Sequence, residues 1–171
     1  ENAAMDLGAS TIGGTANFNS TSNVITDSGT LAITGATTIN AGTADITLDQ
    51  AASTFGALAL TGANVAVTEN AATDLAASTV SGTLGVTSTG AVTDSGTLAI
   101  TGATTISASG QDITLDEAAS TFGTLALTGA NVAVTENAAT DLGASTVGGT
   151  LGITSTGAVT DSGTLAITGA T

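Results

Sequence analysis

Short runs in which apolar and polar residues alternate extend along the whole chain. Asp45-Ile46-Thr47-Leu48-Asp49 alternates strictly, and Leu31-Ala32-Ile33 has large aliphatic residues two positions apart. Alternation at this period places the two sets of side chains on opposite faces of a β-strand. The runs are bounded by Gly, Asn, Asp or Thr. No apolar stripe recurs at the helical period of about 3.6 residues, so the pattern predicts an all-β chain of short strands.

The predicted strands belong to a 67-residue repeat that occurs twice in full. The first copy covers residues 26–92 and the second residues 93–159, and the two match at 58 of 67 positions. Residues 1–25 form a partial divergent repeat, and residues 160–171 start the next one. Repetition at a fixed period is typical of stacked units that bury a shared core. We expect residues 1–171 to form a single continuous segment of a longer repeat chain.

Each repeat contains three versions of one strand–turn–strand phrase, TLAITGATTI, ALALTGANVAV and TLGVTSTGAV. Strands this short form no stable hairpins alone, but they can pair in register with strands of the preceding and following turns. The predicted fold is therefore a parallel β-helix, or β-solenoid, with about three short-strand rungs per 67-residue repeat. At a strand spacing of about 4.8 Å, each repeat would rise by about 14 Å.

The charge of the chain excludes several classes of partner. It has no Lys, Arg or His and 14 acidic residues, which gives a formal net charge of −14. Such a chain cannot neutralise phosphate groups, so we expect no binding to nucleic acid or to anionic membrane surfaces. No apolar run is long enough to span a bilayer, so no membrane insertion is expected. Divalent cations are the partners that an acidic surface favours.

Carboxylates in and directly after the DITLD strand are the candidate metal ligands. The first and last Asp of an extended strand of this length point to the same face, and calcium takes carboxylate oxygens. The alternatives are solvated polar residues at strand ends and an acid pair of the kind that cleaves glycosides. No cofactor other than calcium is expected. The residues concerned are Asp45, Asp49, Asp112, Asp116 and Glu117.

Enzymatic activity is not expected of this sequence. Ser and Thr are abundant, but there is no His, Lys or Cys to activate a hydroxyl as a nucleophile. The only aromatic residues are Phe18, Phe55 and Phe122, and the last two occupy the same repeat position, which indicates an internal packing role. The other acidic residues of the repeat are expected to satisfy backbone donors at turns; they include Asp27, Asp94, Glu69, Glu136, Asp74 and Asp141.

Several phrases resemble the repeat region of large bacterial surface adhesins of the filamentous-haemagglutinin type. They are GTLAITGATTI, DITLDQAASTFGALALTG, NVAVTENAATDLAASTV and GAVTDSGTLAITG, and they cover nearly the whole chain. The resemblance implies a right-handed parallel β-helix, export to the cell surface or the extracellular space, and a role as an adhesin shaft or surface fibre.

Two functions follow from these observations as hypotheses. The first is a structural segment of a secreted fibre that self-associates end to end or continues into a longer repeat chain. The alternative is a surface-binding module that recognises glycan, mineral or ice through ladders of Thr or Asp. The Thr residues considered for such a ladder are Thr34, Thr37, Thr38, Thr101, Thr104 and Thr105.

Overall fold

The computed structural model describes residues 3–171, and over this range the chain forms 23 strands of three to six residues and no helix. That range therefore contains no helical segment able to cross a membrane. The first eleven strands are β1 (Met5–Leu7), β2 (Ser10–Ile12), β3 (Ala16–Asn19), β4 (Ile25–Asp27), β5 (Leu31–Ile33), β6 (Thr37–Asn40), β7 (Ile46–Leu48), β8 (Ala57–Gly62), β9 (Val65–Glu69), β10 (Thr73–Leu75) and β11 (Ser78–Val80). The others are β12 (Leu84–Ser88), β13 (Val92–Asp94), β14 (Leu98–Ile100), β15 (Thr104–Ser107), β16 (Ile113–Leu115), β17 (Thr124–Gly129), β18 (Val132–Glu136), β19 (Thr140–Leu142), β20 (Ser145–Val147), β21 (Leu151–Ser155), β22 (Val159–Asp161) and β23 (Leu165–Ile167).

All pairings between these strands are parallel, and each joins one turn of the chain to the next. Ile25 pairs with Ile46, and Ile46 with Val65, so these turns take 21 and 19 residues. The strands form an 11-stranded sheet that begins with β1, β4, β7 and β9, a 10-stranded sheet that includes β6, β8 and β10, and a β2–β5 pair. The chain thus winds as a β-solenoid of about eight turns, which confirms the predicted fold class.

Each 67-residue repeat contains three and a half turns, half a turn more than the rungs expected from its sequence. From β4 to β13, its equivalent one repeat later, the chain passes alternately between the two sheets through β6, β7, β8, β9, β10 and β12. These are seven steps of half a turn each. β4 consequently lies in the first sheet and β13 in the second. Successive repeats are therefore related by half a rotation about the solenoid axis.

The core is a set of columns of aliphatic side chains that run along the axis. Ile25, Ile46, Val65 and Leu84 stack in one column, and each is at most 3% exposed. The alternation predicted for DITLD is observed, since Ile46 and Leu48 are buried while both flanking Asp residues are exposed. Phe55 and Phe122 are buried in the interior, as expected from their repeat position.

Glycine columns allow successive turns to approach closely at one corner. A Cβ atom added at Gly35 would lie 2.6 Å from the carbonyl oxygen of Gly14, and one at Gly56 would lie 2.4 Å from that of Gly35. Gly102 and Gly123 make equally close approaches in the second copy. No side chain fits at these distances, so the corner requires glycine in successive turns.

Two of the nine differences between the copies compensate each other sterically. Ala57 and Ala76 in the first copy are replaced by Thr124 and Gly143 in the second. A methyl group added at Gly143 would lie 2.9 Å from Cγ2 of Thr124, in the adjacent turn. The larger side chain at position 124 therefore requires the smaller residue at position 143, and the two positions act as a pair.

We predict that Gly143→Ala destabilises the solenoid and that Thr124→Ala reduces this cost. The added methyl overlaps Cγ2 of Thr124, so the single substitution should lower the free energy of unfolding by about 1–2 kcal/mol. Alanine at both positions reproduces the Ala57–Ala76 pair of the first copy. Chemical denaturation of both single variants and the double variant gives the coupling energy.

Gly148→Ser is the matched control for this cycle. The first copy already has Ser81 at this position, and the nearest atom to an added Cβ is 3.9 Å away. The Gly148→Ser substitution should leave the free energy of unfolding nearly unchanged. Strictly additive effects at positions 124 and 143 would contradict the proposed compensation.

Candidate functional site

The predicted metal ligands lie at the two ends of equivalent strands. Asp45 and Asp49 flank β7 and are both exposed, and Asp112 and Asp116 flank β16 in the same way. The expectation that the two Asp of each strand face the same side is therefore confirmed. Glu117 follows Asp116 and is partly exposed.

Asp45 begins a ladder of polar side chains at one edge of the solenoid. Its Oδ1 accepts hydrogen bonds from the backbone N–H and from Nδ2 of Asn64, both at 3.0 Å. Oδ1 of Asn64 in turn accepts from the backbone N–H and the hydroxyl of Thr83, both at 3.1 Å. Each residue thus caps a backbone donor in the following turn. Asp112, Asn131 and Thr150 repeat this arrangement in the second copy.

Sequence reasoning did not identify Asn64 and Thr83 as members of this ladder. Both directly precede the first apolar residue of a strand, as Asp45 does, and the three residues are 19 positions apart. That regular spacing is the signal that could have identified them.

The opposite end of β7 is held by a carboxylate from the preceding turn. Oδ1 of Asp27 accepts a hydrogen bond from the backbone N–H of Asp49 at 2.8 Å, and Asp94 does the same for Asp116. Oδ2 of Asp94 also accepts from the N–H of Glu117 at 3.4 Å. Asp27 and Asp94 therefore satisfy backbone donors, as predicted.

Burial is the main cause of a raised pKa at both Asp27 and Asp94. They are only 6% and 8% exposed. The negative charge of Asp49 adds to the effect at Asp27, and those of Asp116 and Glu117 add to it at Asp94. Each carboxylate also accepts hydrogen bonds from backbone N–H groups. These bonds stabilise the ionised form and so oppose the rise in pKa.

Glu69 and Glu136 are buried more deeply than any other acidic residue of the described chain, each only 1% exposed. Oε1 of Glu69 accepts from the backbone N–H of Phe55 at 2.8 Å, and Glu136 accepts from Phe122 at the same distance. Burial raises the pKa of Glu69, and the Phe55 N–H opposes this rise. Their role in satisfying backbone donors is as predicted, but their position in the interior was not expected.

No group of three or more acidic residues within 3–171 is placed so that it could hold a metal ion together. Asp45 and Asp27 already accept hydrogen bonds from the backbone, and the calcium site stays a prediction.

The Thr residues considered for a surface ladder do not form one. Thr37 and Thr104 are fully buried, whereas Thr38 is exposed and pairs with Asn17 and Ala59 on either side. A different hydroxyl column runs along the first sheet through five successive turns. It consists of Thr68, Thr87, Ser107, Thr128 and Thr146.

We predict that Asp45→Ala and Asp112→Ala each lower the free energy of unfolding by about 1 kcal/mol. Either substitution leaves the backbone N–H of the following Asn without its acceptor. Asp49→Ala is the control, because among residues 3–171 the only donor bonded to that side chain is Nε2 of Gln50, at 3.3 Å. Chemical denaturation with and without calcium tests whether these residues cap the backbone or bind a metal ion. A calcium-dependent gain in stability that Asp49→Ala abolishes would instead assign these residues to a metal site.

Comparison with known proteins shows which group of sequences this chain belongs to. No curated protein and no solved structure matches it. A family model described as repeats of unknown function (DUF5649) matches three consecutive stretches, residues 1–61, 62–128 and 129–171. The middle match has the same length as the 67-residue repeat. Since the three matches cover the whole chain, the protein belongs to this family of DUF5649 repeats.

Proposed function

We propose that this protein is a structural segment of a secreted or cell-surface fibre, in which the solenoid serves as a stiff shaft. The observation that carries the proposal is the continuous parallel ladder. The first sheet runs from β1 to β22 without interruption. Its hydrogen bonds lie along the axis, so bending or stretching the rod strains many of them together.

Side chains complete the ladder where the backbone cannot pair directly. The hydroxyl of Ser53 accepts from the N–H of Leu31 at 3.0 Å, and that of Ser78 accepts from Leu60 at 3.0 Å. Ser120 and Ser145 do the same in the second copy. Satisfied donors at these bends keep successive turns in register, which supports a load-bearing role over a catalytic one.

The extracellular location and the adhesin role rest on the resemblance of the repeat phrases to filamentous-haemagglutinin-type adhesins. The absence of Lys and Arg leaves no cleavage sites for trypsin-like proteases, which suits an exposed fibre. The acidic surface would separate neighbouring rods at low salt or allow divalent cations to bridge them.

Because successive repeats differ by half a rotation, a long fibre would present each surface feature alternately on its two faces.

We predict that each additional copy of residues 93–159 lengthens the particle by about 17 Å, since three and a half turns rise at about 4.8 Å each. Small-angle X-ray scattering of chains with one, two and three added copies measures this increment. The radius of the cross-section should stay constant. A radius of gyration that grows as for compact globular particles would contradict the rod.

A second candidate function is binding to an uncharged, periodic surface such as ice or a crystalline polysaccharide. The hydroxyl column defined above favours it, because the pairing of the sheet places one hydroxyl in each turn at the strand spacing. Residues Asn40, Thr61 and Thr79 form the equivalent column on the opposite sheet.

We predict that Thr87→Tyr with Thr146→Tyr abolishes binding to such a surface, because bulky rings interrupt the column at its two most exposed positions. Thr97→Tyr, at an exposed turn outside the column, is the matched control. Inhibition of ice recrystallisation and sedimentation with cellulose or chitin are the measurements. Equal activity of both variants would exclude the column as the binding surface.

A further inference from the structure

The segment Ser53–Phe55 is fastened to the following turn by Glu69 and its neighbour. The side chain of Glu69 accepts from the N–H of Phe55 at 2.8 Å. Asn70 donates its backbone N–H to the carbonyl of Ser53 at 2.8 Å. Towards the preceding turn, Thr54 donates its N–H to the carbonyl of Leu31 at 2.8 Å, and its carbonyl accepts from the N–H of Ile33 at 2.9 Å. Glu69 therefore contributes a bond that holds this segment to the following turn, and we call the arrangement the glutamate lock.

The lock places a carboxyl group where its negative charge has no compensation. Glu69 is 1% exposed. The N–H of Phe55 and the hydroxyl of Thr73 favour its ionised form, but neither supplies a positive charge. The chain has no Lys, Arg or His anywhere. A buried carboxylate is normally paired with a cation, because removing a charge from water is costly.

The titratable residues on the elements packed around the lock are all acidic. β7 is flanked by Asp45 and Asp49, both exposed, and β10 carries Asp74, whose Oδ2 accepts from Ser95. β12 places Ser88 directly beside Glu69. None of these groups can supply positive charge at any pH.

The second copy contains the same lock. Glu136 is also 1% exposed and accepts from Phe122, Asn137 donates to the carbonyl of Ser120, and Ser155 stacks beside Glu136. Here Oε2 accepts from the hydroxyl of Thr140 at 2.7 Å. The surrounding titratable groups are again acidic: Asp112, Asp116, Glu117 and Asp141.

We propose that the glutamate lock makes the solenoid responsive to pH: in acid the neutral carboxyl of Glu69 holds residues 53–55 closed, and as the pH rises its ionisation opens that segment locally. Opening frees Phe55 and the adjacent strand edges.

The direction of this pH response follows from the burial of Glu69. Its pKa in the folded chain lies above the ordinary value of 4.5, and desolvation is the first cause. A raised pKa means that the closed segment binds the proton more tightly than the open one. Its stability is fully present below pH 4.5 and is lost as the pH rises through the raised pKa. In that window the opening constant rises by up to about tenfold per pH unit.

Hydrogen exchange of the Phe55 amide at a series of pH values tests the proposal, using intact protein and correcting for intrinsic exchange. In the wild type, protection of Phe55 should fall with rising pH more steeply than that of strand β12. Glu69→Gln keeps the shape and the acceptor oxygen but cannot ionise. It should remove the pH dependence at Phe55 and leave the exchange profile of the Phe122 amide unchanged.

Asp6→Asn is the control for net charge, because Asp6 is exposed, and it should change neither profile. Wild-type protection at Phe55 that does not depend on pH would overturn the proposal. So would a Glu69→Gln variant that keeps the wild-type profile, or simultaneous loss of protection in β12, which indicates global unfolding. If Glu69→Gln does not fold, the wild-type exchange profile of the Phe55 amide relative to that of β12 still decides.

Discussion

The hydrogen bonds that join each turn to the next are the interaction on which the rest of this structure depends. The strands have only three to six residues, and a strand of that length gains too little from its own contacts to stay ordered. Stacking changes this balance, because a strand within the rod pairs on both sides and its aliphatic side chains continue a column. Parallel pairing in register also fixes which residues can follow one another along the axis. The interior is narrow and the turns approach closely, so the corners require glycine and the outer faces carry mostly Thr, Ala and Gly.

The half-turn in the repeat gives the solenoid a symmetry that a whole number of turns would not. Equivalent strands such as β4 and β13 lie in opposite sheets, so each repeat must fit beside a neighbour that is rotated by half a turn. Every contact between repeats therefore joins non-equivalent residues, and near-identity of the copies keeps these contacts the same at each junction. Some differences between the copies lie at exposed turns, as at Ser81 and Gly148, and the change at Thr124 is matched across the contact by that at Gly143. Both faces of a long rod then display the same features in alternation.

A fold without a single basic side chain uses its carboxylates in an unusual way. Asp27, Asp45 and Glu69 do not pair with cations but accept backbone N–H groups at places where a turn has no carbonyl to offer. The exposed Asp45 keeps its solvation, so its contribution is that of an ordinary cap. Glu69 makes the same kind of bond in the interior, where an ionised group is costly. The same chemical group is thus a simple cap at the surface and a pH-dependent one inside.

The alternation of DITLD, the 67-residue period and the absence of a helical stripe determined by themselves that this chain is a parallel β-solenoid, because short amphipathic strands at a fixed period have few other ways to bury their apolar face. The same reasoning correctly assigned Asp27 and Asp94 to backbone donors and both Asp45 and Asp49 to one face of β7. It did not determine the half-turn, since three similar phrases per repeat look like three rungs until the pairing partners are known. It also did not place Glu69, Thr37 and Thr104 in the interior. Whether a polar residue at a strand end points inward depends on where the next turn passes. That path is decided by the stacking of the whole rod, a property of the tertiary structure that no local pattern contains.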